Sequence, residues 1–368
     1  MPPVNVLIKP ASSSCNMRCS YCFYHDEAKN RSTDSFGLMQ RETLEAVMHK
    51  ALAHASGSCT FGFQGGEPTL AGLDFFKTAI LLQKQHNVKK LPIQNTIQTN
   101  GLLIDDEWAA FFVQNHFLVG VSLDGYEDLH DLHRRDVTEN GTFSKVMQGI
   151  ETLKHHNVEF NILAVVTSET ARNVREAYRF FFQSGLVYHQ YIPCMDPLGS
   201  MPGQQSRSLT PELYARFLKK LFDLWYKDRT EGRFVYIRYF ENLAGILLGH
   251  NAESCDMNGR CSVQYAIEAD GSVYPCDFYM LDGDCIGNIN ADSMETIDRN
   301  RACLGFIQQS LPLPEQCRTC EWLRICRGGC KRYREQEADL HPGVNRFCGA
   351  YKEAFPYILP RLERLLNR

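Results

Sequence analysis

The spacing that most constrains this chain is C-x3-C-x2-C: Cys15, Cys19 and Cys22, with Tyr21 directly before the last. A cubane iron–sulfur cluster normally takes four thiolates, and this motif supplies three. The fourth iron is then open to a ligand, as a catalytic zinc site with three protein ligands is open to water or substrate. An open iron on an electron-donating cluster can bind and reduce a small molecule, so the motif predicts redox chemistry and not a structural staple. Taken alone, the triplet also accommodates a zinc site, a disulfide pair or three unrelated buried thiols.

The pattern C-x3-C-x-aromatic-C resembles the signature of the radical S-adenosylmethionine enzymes. That resemblance implies an N-terminal [4Fe-4S] cluster on Cys15, Cys19 and Cys22. Its open iron is chelated by the amino and carboxylate groups of S-adenosylmethionine, with Tyr21 beside the cofactor. It further implies that one electron splits the sulfonium and yields a 5′-deoxyadenosyl radical.

At 368 residues the chain is about two to three times the usual domain size, which suggests one large barrel-like domain and a smaller appendage. Hydrophobic residues at 44% and charged residues at 22% are ordinary for a globular protein, and a core of that size needs no disulfides. A net charge of −4 without a long Lys/Arg run disfavours a nucleic-acid partner. The longest apolar runs, such as 117–121, are too short to span a bilayer, so no membrane association is expected. The first ten residues lack the charged segment and apolar core of a signal peptide. With no export signal, fifteen cysteines argue for metal ligation in a reducing cytoplasm and against a disulfide framework. Ten of them lie between Cys255 and Cys348, which places the domain boundary near residue 232: a barrel over 1–232 and a cysteine-rich domain over 233–368.

From Val4 to about Pro193, short apolar strands alternate with amphipathic helices. Strands are expected at Val6–Ile8, Cys59–Gln64, Ile93–Thr99, Leu118–Leu123, Glu159–Val166 and His189–Ile192. Helices are expected at Arg41–His54, Leu73–Gln85, Asp105–Gln114, Phe143–His155 and Thr170–Gln183. This alternation favours a parallel sheet with right-handed crossovers. The fold class is therefore α/β, and six strand–helix units fit a partial (β/α)6 TIM-like barrel. In such barrels chemistry gathers where strands end. The cysteine triplet follows the first strand, Gly65-Gly66-Glu67-Pro68 the second, Thr99-Asn100-Gly101 the third and Ser122-Leu123-Asp124-Gly125 the fourth. Asp196–Ser208, rich in Pro, Gly and Ser, reads as a loop, and Pro211–Tyr226 as a helix with an apolar stripe.

Gly65-Gly66-Glu67-Pro68 offers backbone without side-chain bulk, so main-chain groups can approach a ligand closely, and its carboxylate or a carbonyl could accept from a ligand ammonium. In the radical enzymes it resembles, Gly66 would hold the amino end of the cofactor. Ser122 suits a ribose or carboxylate, and the Arg134 fork suits a carboxylate. By the same resemblance these two contact the cofactor's sugar and carboxylate, and Met195 packs on its adenine. A lone Met is otherwise more often core filler.

Eight C-terminal cysteines make two four-thiolate sites. Sequence spacing alone would give the run Cys317, Cys320, Cys326 and Cys330 to one cluster, and two zinc ribbons are the alternative reading. The region resembles the SPASM auxiliary-cluster domain. That resemblance implies one [4Fe-4S] cluster on Cys255, Cys261, Cys276 and Cys330, and another on Cys317, Cys320, Cys326 and Cys348. Cys59, Cys194, Cys285 and Cys303 fall outside every pattern.

Asp277 follows Cys276 directly, and an unperturbed aspartate is charged at neutral pH. A proton acceptor beside an electron acceptor suits a two-electron oxidation. The runs Ile8-Lys9-Pro10, Cys22-Phe23-Tyr24, 63–70, Gln98-Thr99-Asn100-Gly101 and Ile237-Arg238-Tyr239-Phe240 resemble the anaerobic sulfatase-maturating enzymes over nearly the whole chain. This resemblance implies oxidation of a cysteine or serine in an unfolded sulfatase to Cα-formylglycine. Asp277 would be the catalytic base, Tyr24 and Gln64 would lie near the substrate pocket, and flavodoxin or ferredoxin would donate electrons.

Overall fold

The computed structural model describes residues 3–201, 203–334 and 343–367. Ten strands occur among them: β1 (Val4–Ile8), β2 (Cys59–Phe63), β3 (Ile93–Thr99), β4 (Phe117–Ser122), β5 (Phe160–Val166), β6 (Tyr188–Pro193), β7 (Tyr236–Ile237), β8 (Tyr265–Ile267), β9 (Ser272–Tyr274) and β10 (Gly287–Asn288). The chain divides into two compact units, each assembled from separated stretches. The first comprises Met1–Ser122, Asp131–Phe160 and Val263–Gly305; the second comprises Leu123–His130, Asn161–Ser262 and Phe306–Arg368. A division at residue 232 follows the density of cysteines along the chain, whereas the compact units interleave.

In the first unit the strand order is β10-β9-β8-β1-β2-β3-β4. Strands β1 to β4 are parallel neighbours in chain order, as strand–helix alternation requires. Residues 59, 61 and 63 of β2 are buried while 60 and 62 are half-buried, which is the period of two that a pleated strand imposes. The Phe63 ring packs 5.0 Å from Phe76, and Phe76 lies edge-on to Trp108 at 5.2 Å. These two rings come from the helices Leu73–His86 and Asp106–Gln114 that cover the sheet. Asp105 starts the latter helix by accepting from the Trp108 N–H at 3.0 Å.

In the second unit β5, β6 and β7 are parallel neighbours. Its core gathers Phe222 and Trp225 of the helix Pro211–Thr230, Phe240 of Arg238–Leu247, and Phe355 and Ile358 of Cys348–Leu366. Each such side chain contributes about 1.5–3 kcal/mol when fully buried. Thr210 caps the long helix and Pro211 occupies its first turn, where no N–H is needed.

The helix expected over Thr170–Gln183 is two helices, Ser168–Arg172 and Val174–Gln183. Asn173 separates them: its backbone N–H and its amide both donate to the Glu169 carbonyl, at 3.0 and 2.9 Å. A short amide side chain that serves a local carbonyl competes with the helical ladder. Four strands were not expected. They are two or three residues long, too short to display alternation. Strand β7 extends the parallel set beyond β6, and β8 pairs parallel with β1 through Val6–Ile8. Among the described residues no helix is long and apolar enough to cross a membrane.

Candidate functional site

The loop after β1 is anchored at its start, where the Lys9 N–H donates to the Ile267 carbonyl at 2.9 Å. The cysteines follow: the Met17 N–H donates to Cys15 Sγ at 3.3 Å, and Cys22 sits at the N-terminal boundary of the helix Phe23–Lys29. Burial, then the negative charge of Glu67, pushes the Cys15 thiol up to about 12, and Cys19 and Cys22 add to the shift. Burial also raises Cys22. Three thiolates therefore share this loop only against a bound positive charge, and the donor set fits an iron–sulfur cluster.

The turn after β2 is moulded onto this loop. Gly66 has φ +53°, and a Cβ there would stand 2.3 Å from the Ser14 carbonyl oxygen, so only glycine fits. Beside it the Glu67 N–H donates to that same oxygen at 2.8 Å. Glu67 itself is buried, and its carboxylate accepts from the Thr69 N–H and hydroxyl, the Thr99 hydroxyl and the Asn100 N–H, at 2.6–3.1 Å. The chain's own donors thus engage both oxygens. Of the two acceptors expected for a ligand ammonium, the main chain near Gly66 fits better than the Glu67 carboxylate. Asn100 reaches back, donating to Asn16 Oδ1 at 2.7 Å and towards Cys15 Sγ at 3.7 Å.

The segment 133–135 lies along the same loop: Arg18 N–H donates to the Arg135 carbonyl and Ser20 N–H to that of His133. Arg134 is buried, with its guanidinium carbon 5.4 Å from the Tyr21 ring centre and Nη1 3.9 Å from Cys19 Sγ. Ser122 ends β4, where its hydroxyl accepts from Gln98 Nε2 at 3.2 Å. Cys15, Cys19, Cys22, Tyr21, Gly66, Ser122 and Arg134 all belong to the first unit. Met195 belongs to the second, where it packs against the apolar core.

Asp277 also lies in the first unit. Gln64 Nε2 donates to its Oδ2 at 3.0 Å and to the Tyr24 hydroxyl at 2.6 Å, while that hydroxyl faces Oδ2 at 3.4 Å. The Cys276 thiol faces the other oxygen, Oδ1, at 3.5 Å. Burial pushes the Asp277 carboxyl above its ordinary value, against hydrogen bonds from Cys276 and Tyr24 and the charge of Lys9. The ordinary carboxylate pKa expected from sequence is thus displaced. Beneath this trio is a network that sequence reasoning missed: Lys9 and Arg31, both buried, share Glu268 Oε2 at 3.3 and 2.7 Å. Lys9 Nζ lies 5.1 Å from the Tyr24 ring centre. The only sequence signal was Lys9 and Glu268, each in an otherwise apolar stretch; Arg31 stands in the polar run 26–35 and gives none.

In the second unit the thiols group by more than their order in the chain. The charges of Cys348, Cys317 and Cys320 act against ionisation of Cys326, those of Cys348 and Cys320 against Cys317, and that of Cys320 against Cys348. Cys330 instead feels Cys255 and Cys261. The separation arises at Arg327-Gly328-Gly329, where φ is +53°, +87° and +71°, three successive left-handed residues that turn the chain sharply after Cys326. Asn345 fixes this turn by donating to the Gly328 carbonyl at 3.2 Å, and the Asn345 carbonyl accepts from the Cys348 N–H at 2.8 Å. None of the fifteen cysteines is joined in a disulfide, and of the four outside the patterns Cys59 and Cys194 are buried while Cys285 and Cys303 are exposed.

Comparison with known proteins agrees with this chemistry. Residues 10–181 match the radical SAM superfamily, and residues 255–321 match an iron–sulfur cluster-binding domain of the SPASM type. A cysteine-type anaerobic sulfatase-maturating enzyme of Clostridium perfringens is 48% identical over 100% of this chain and 99% of its own. A serine-type anaerobic sulfatase-maturating enzyme of Bacteroides thetaiotaomicron is 32% identical over 98% of this chain and 91% of its own. A solved structure of native anSMEcpe with bound AdoMet and Cp18Cys peptide superposes with a TM-score of 0.95 at 47% identity, covering 100% of this chain and 99% of that one. The chain belongs to the anaerobic sulfatase-maturating enzymes, oxidoreductases of the radical SAM superfamily that work with S-adenosylmethionine and iron–sulfur clusters.

Proposed function

We propose that this chain oxidises a cysteine in an unfolded sulfatase to Cα-formylglycine, in the cytoplasm and without oxygen. Cysteine is favoured over serine because relatives of the cysteine type are 48% and 45% identical, against 32% for those of the serine type. The observation that carries the reading is the carboxylate of Asp277, held on Oδ2 by Gln64 and Tyr24 and facing the Cys276 sulfur on Oδ1, in the same compact unit as the triplet.

Cys15, Cys19 and Cys22 would hold the N-terminal [4Fe-4S] cluster, with Tyr21, Gly66, Ser122, Arg134 and Met195 around S-adenosylmethionine. Cys255, Cys261, Cys276 and Cys330 would hold one auxiliary [4Fe-4S] cluster, and Cys317, Cys320, Cys326 and Cys348 the other. We assign the cofactor site to 1–232 and the auxiliary clusters to 233–368. When bound and reduced by a flavodoxin- or ferredoxin-type donor, the N-terminal cluster and S-adenosylmethionine supply a species that removes a hydrogen atom from the target's β-carbon. Asp277 takes the thiol proton at Oδ1, which Gln64 and Tyr24 do not engage and which faces Cys276; as a cluster ligand Cys276 would have no thiol proton to donate there. One further electron must leave, and the eight C-terminal cysteines would hold groups able to accept it. Water then exchanges the thioaldehyde sulfur for oxygen, releasing hydrogen sulfide. The residues lining the site serve to orient the reacting carbon, since orientation decides which hydrogen is lost.

Anaerobic incubation with S-adenosylmethionine, a reductant and matched cysteine and serine peptides tests this by mass spectrometry. The cysteine peptide is expected to exchange sulfur for oxygen with loss of hydrogen, faster than the serine peptide loses hydrogens. A product that has lost hydrogens while retaining sulfur, as in a crosslink, would overturn the reading.

A further inference from the structure

Glu268 receives two cations where one would balance it. Lys9 Nζ and Arg31 Nη1 approach the same oxygen, Oε2, at 3.3 and 2.7 Å, and all three side chains are 1% exposed or less. The other oxygen, Oε1, accepts from the Ala269 N–H at 2.9 Å. Arg31 follows the helix Phe23–Lys29, and its Nη2 also donates to the Asp34 carbonyl at 3.0 Å, so its fork ties the end of that helix to Glu268. Arg31 thus suffices both to neutralise the carboxylate and to join the two segments. A second buried cation adds a desolvation cost that a shared oxygen does not fully offset.

The course of the Lys9 side chain shows what the second cation serves. A Cβ on Gly65 would stand 2.5 Å from Lys9 Cε and 2.6 Å from its Cγ, so the stem lies against the backbone of the residue after Gln64. The Gln64 N–H in turn donates to the carbonyl of Ile8, the residue before Lys9, at 3.0 Å. At the end of the stem, Nζ lies 5.1 Å from the centre of the Tyr24 ring, within cation–π range. The Phe23 ring packs 4.0 Å from that same ring. Lys9 therefore adjoins both residues that face Asp277 Oδ2, and all of these groups belong to the first unit.

We propose that Lys9 is a positioning residue for the Asp277 site: its ammonium fixes the Tyr24 ring, so that the hydroxyl stays 2.6 Å from Gln64 Nε2 and 3.4 Å from Asp277 Oδ2. The inference rests on the reading of Asp277 as the base in peptide oxidation. The Tyr24 ring is half-buried, so packing alone does not fix its angle, whereas an ammonium over its face does. A ring that turns withdraws the hydroxyl from Gln64 and from Oδ2 together. The carboxylate then loses its alignment with the reacting group, which lowers turnover without weakening peptide binding.

The test uses the full-length, anaerobically reconstituted protein. Lys9→Met keeps a stem of the same length against Gly65 and removes the ammonium. The variant is expected to match the parent in iron content and in 5′-deoxyadenosine formation. Its kcat for peptide oxidation is expected to fall at least about tenfold at an unchanged KM, in keeping with the loss of a desolvated cation–π contact. Tyr24→Phe keeps the ring but removes the hydroxyl through which Lys9 acts. In that background Lys9→Met should cost little more, the non-additivity of a coupled pair. The inference is overturned if Lys9→Met oxidises peptide as fast as the parent, if only KM rises, or if its cost is the same in both backgrounds. Failure of Lys9→Met to fold or to bind iron also overturns it, because the ammonium would then serve the fold. Should Asp277→Asn oxidise peptide undiminished, the reading beneath the inference fails, whatever the Lys9 variants do.

Discussion

At the scale of single residues, the role of Asp277 turns on which of its two oxygens is committed. Gln64 and Tyr24 face Oδ2, leaving Oδ1 turned towards the Cys276 sulfur. Asp277→Asn keeps the shape of the side chain and removes its capacity to take a proton. We expect the variant to bind the same iron as the parent and still to cleave S-adenosylmethionine, while peptide oxidation falls about 100-fold or more, the range of a lost general base. Product quantified against 5′-deoxyadenosine checks this, and undiminished peptide oxidation would remove Asp277 from the chemistry. Asp277 was legible because it adjoins a cysteine of a recognisable pattern. Its surroundings were not: Gln64 lies 213 positions away in the chain, and the Arg31–Glu268 pair spans 237. Nothing local in a sequence announces that a distant cation and acid will be buried together, or that burial will lift an aspartate above its ordinary pKa.

At the scale of elements, two short stretches carry predictions. The turn Arg327-Gly328-Gly329 sends the chain from one group of thiols to the other. A Cβ on Gly329, already at φ +71°, would stand 2.3 Å from Asn345 Nδ2. Gly329→Ala therefore has to displace Asn345, whose carbonyl holds the Cys348 N–H. We expect it to lose iron from the C-terminal sites while 5′-deoxyadenosine formation persists; iron and sulfide analysis beside that assay decides the point. In β6, His189 is buried, with Nε2 2.6 Å from the Leu186 carbonyl and Nδ1 3.3 Å from the Tyr191 hydroxyl. Burial pushes its pKa down to about 4 from an ordinary 6.5. Below the ordinary value the unfolded chain takes up a proton that the folded protein refuses until about pH 4. Stability therefore falls as pH drops through that window, by up to about 3 kcal/mol. Denaturant midpoints at about pH 7 and about pH 5 should diverge less in His189→Gln than in the parent, and an equal pH dependence in both would exclude His189 as its source. The strand around His189 was readable from the alternation of strands and helices along the chain, but not the broken helix before it. Asn173 ends that helix through a side-chain bond to Glu169, and apolar periodicity does not register such a bond.

At the scale of the whole molecule, chain order and spatial grouping part company. Cysteine density divides the chain near residue 232, yet Val263–Gly305 belongs with the N-terminal strands because β8 joins the free edge of β1. A three-residue strand carries no pattern that names its neighbour, so this return was not legible, although the order β1 to β4 and the motifs after each strand were. The grouping bears on what one cysteine can disturb. Cys15 lies in the first unit, in a loop fixed by Gly66, Glu67 and Asn100. Cys317, Cys320, Cys326 and Cys348 lie in the second unit, which has an apolar core of its own around Trp225, Phe240 and Phe355. Replacing Cys15 removes one of three thiolates from a set with none to spare, and leaves that second core untouched. Cys15→Ala should therefore abolish 5′-deoxyadenosine formation and lose about four irons, one cluster's worth, while Cys317, Cys320, Cys326 and Cys348 keep theirs. Iron content, sulfide content and cofactor cleavage measured on one anaerobic preparation separate the possibilities. Cleavage that survives would mean the open-iron site has been placed on the wrong cysteines, and loss of all the iron would mean that the C-terminal sites depend on the N-terminal loop for assembly.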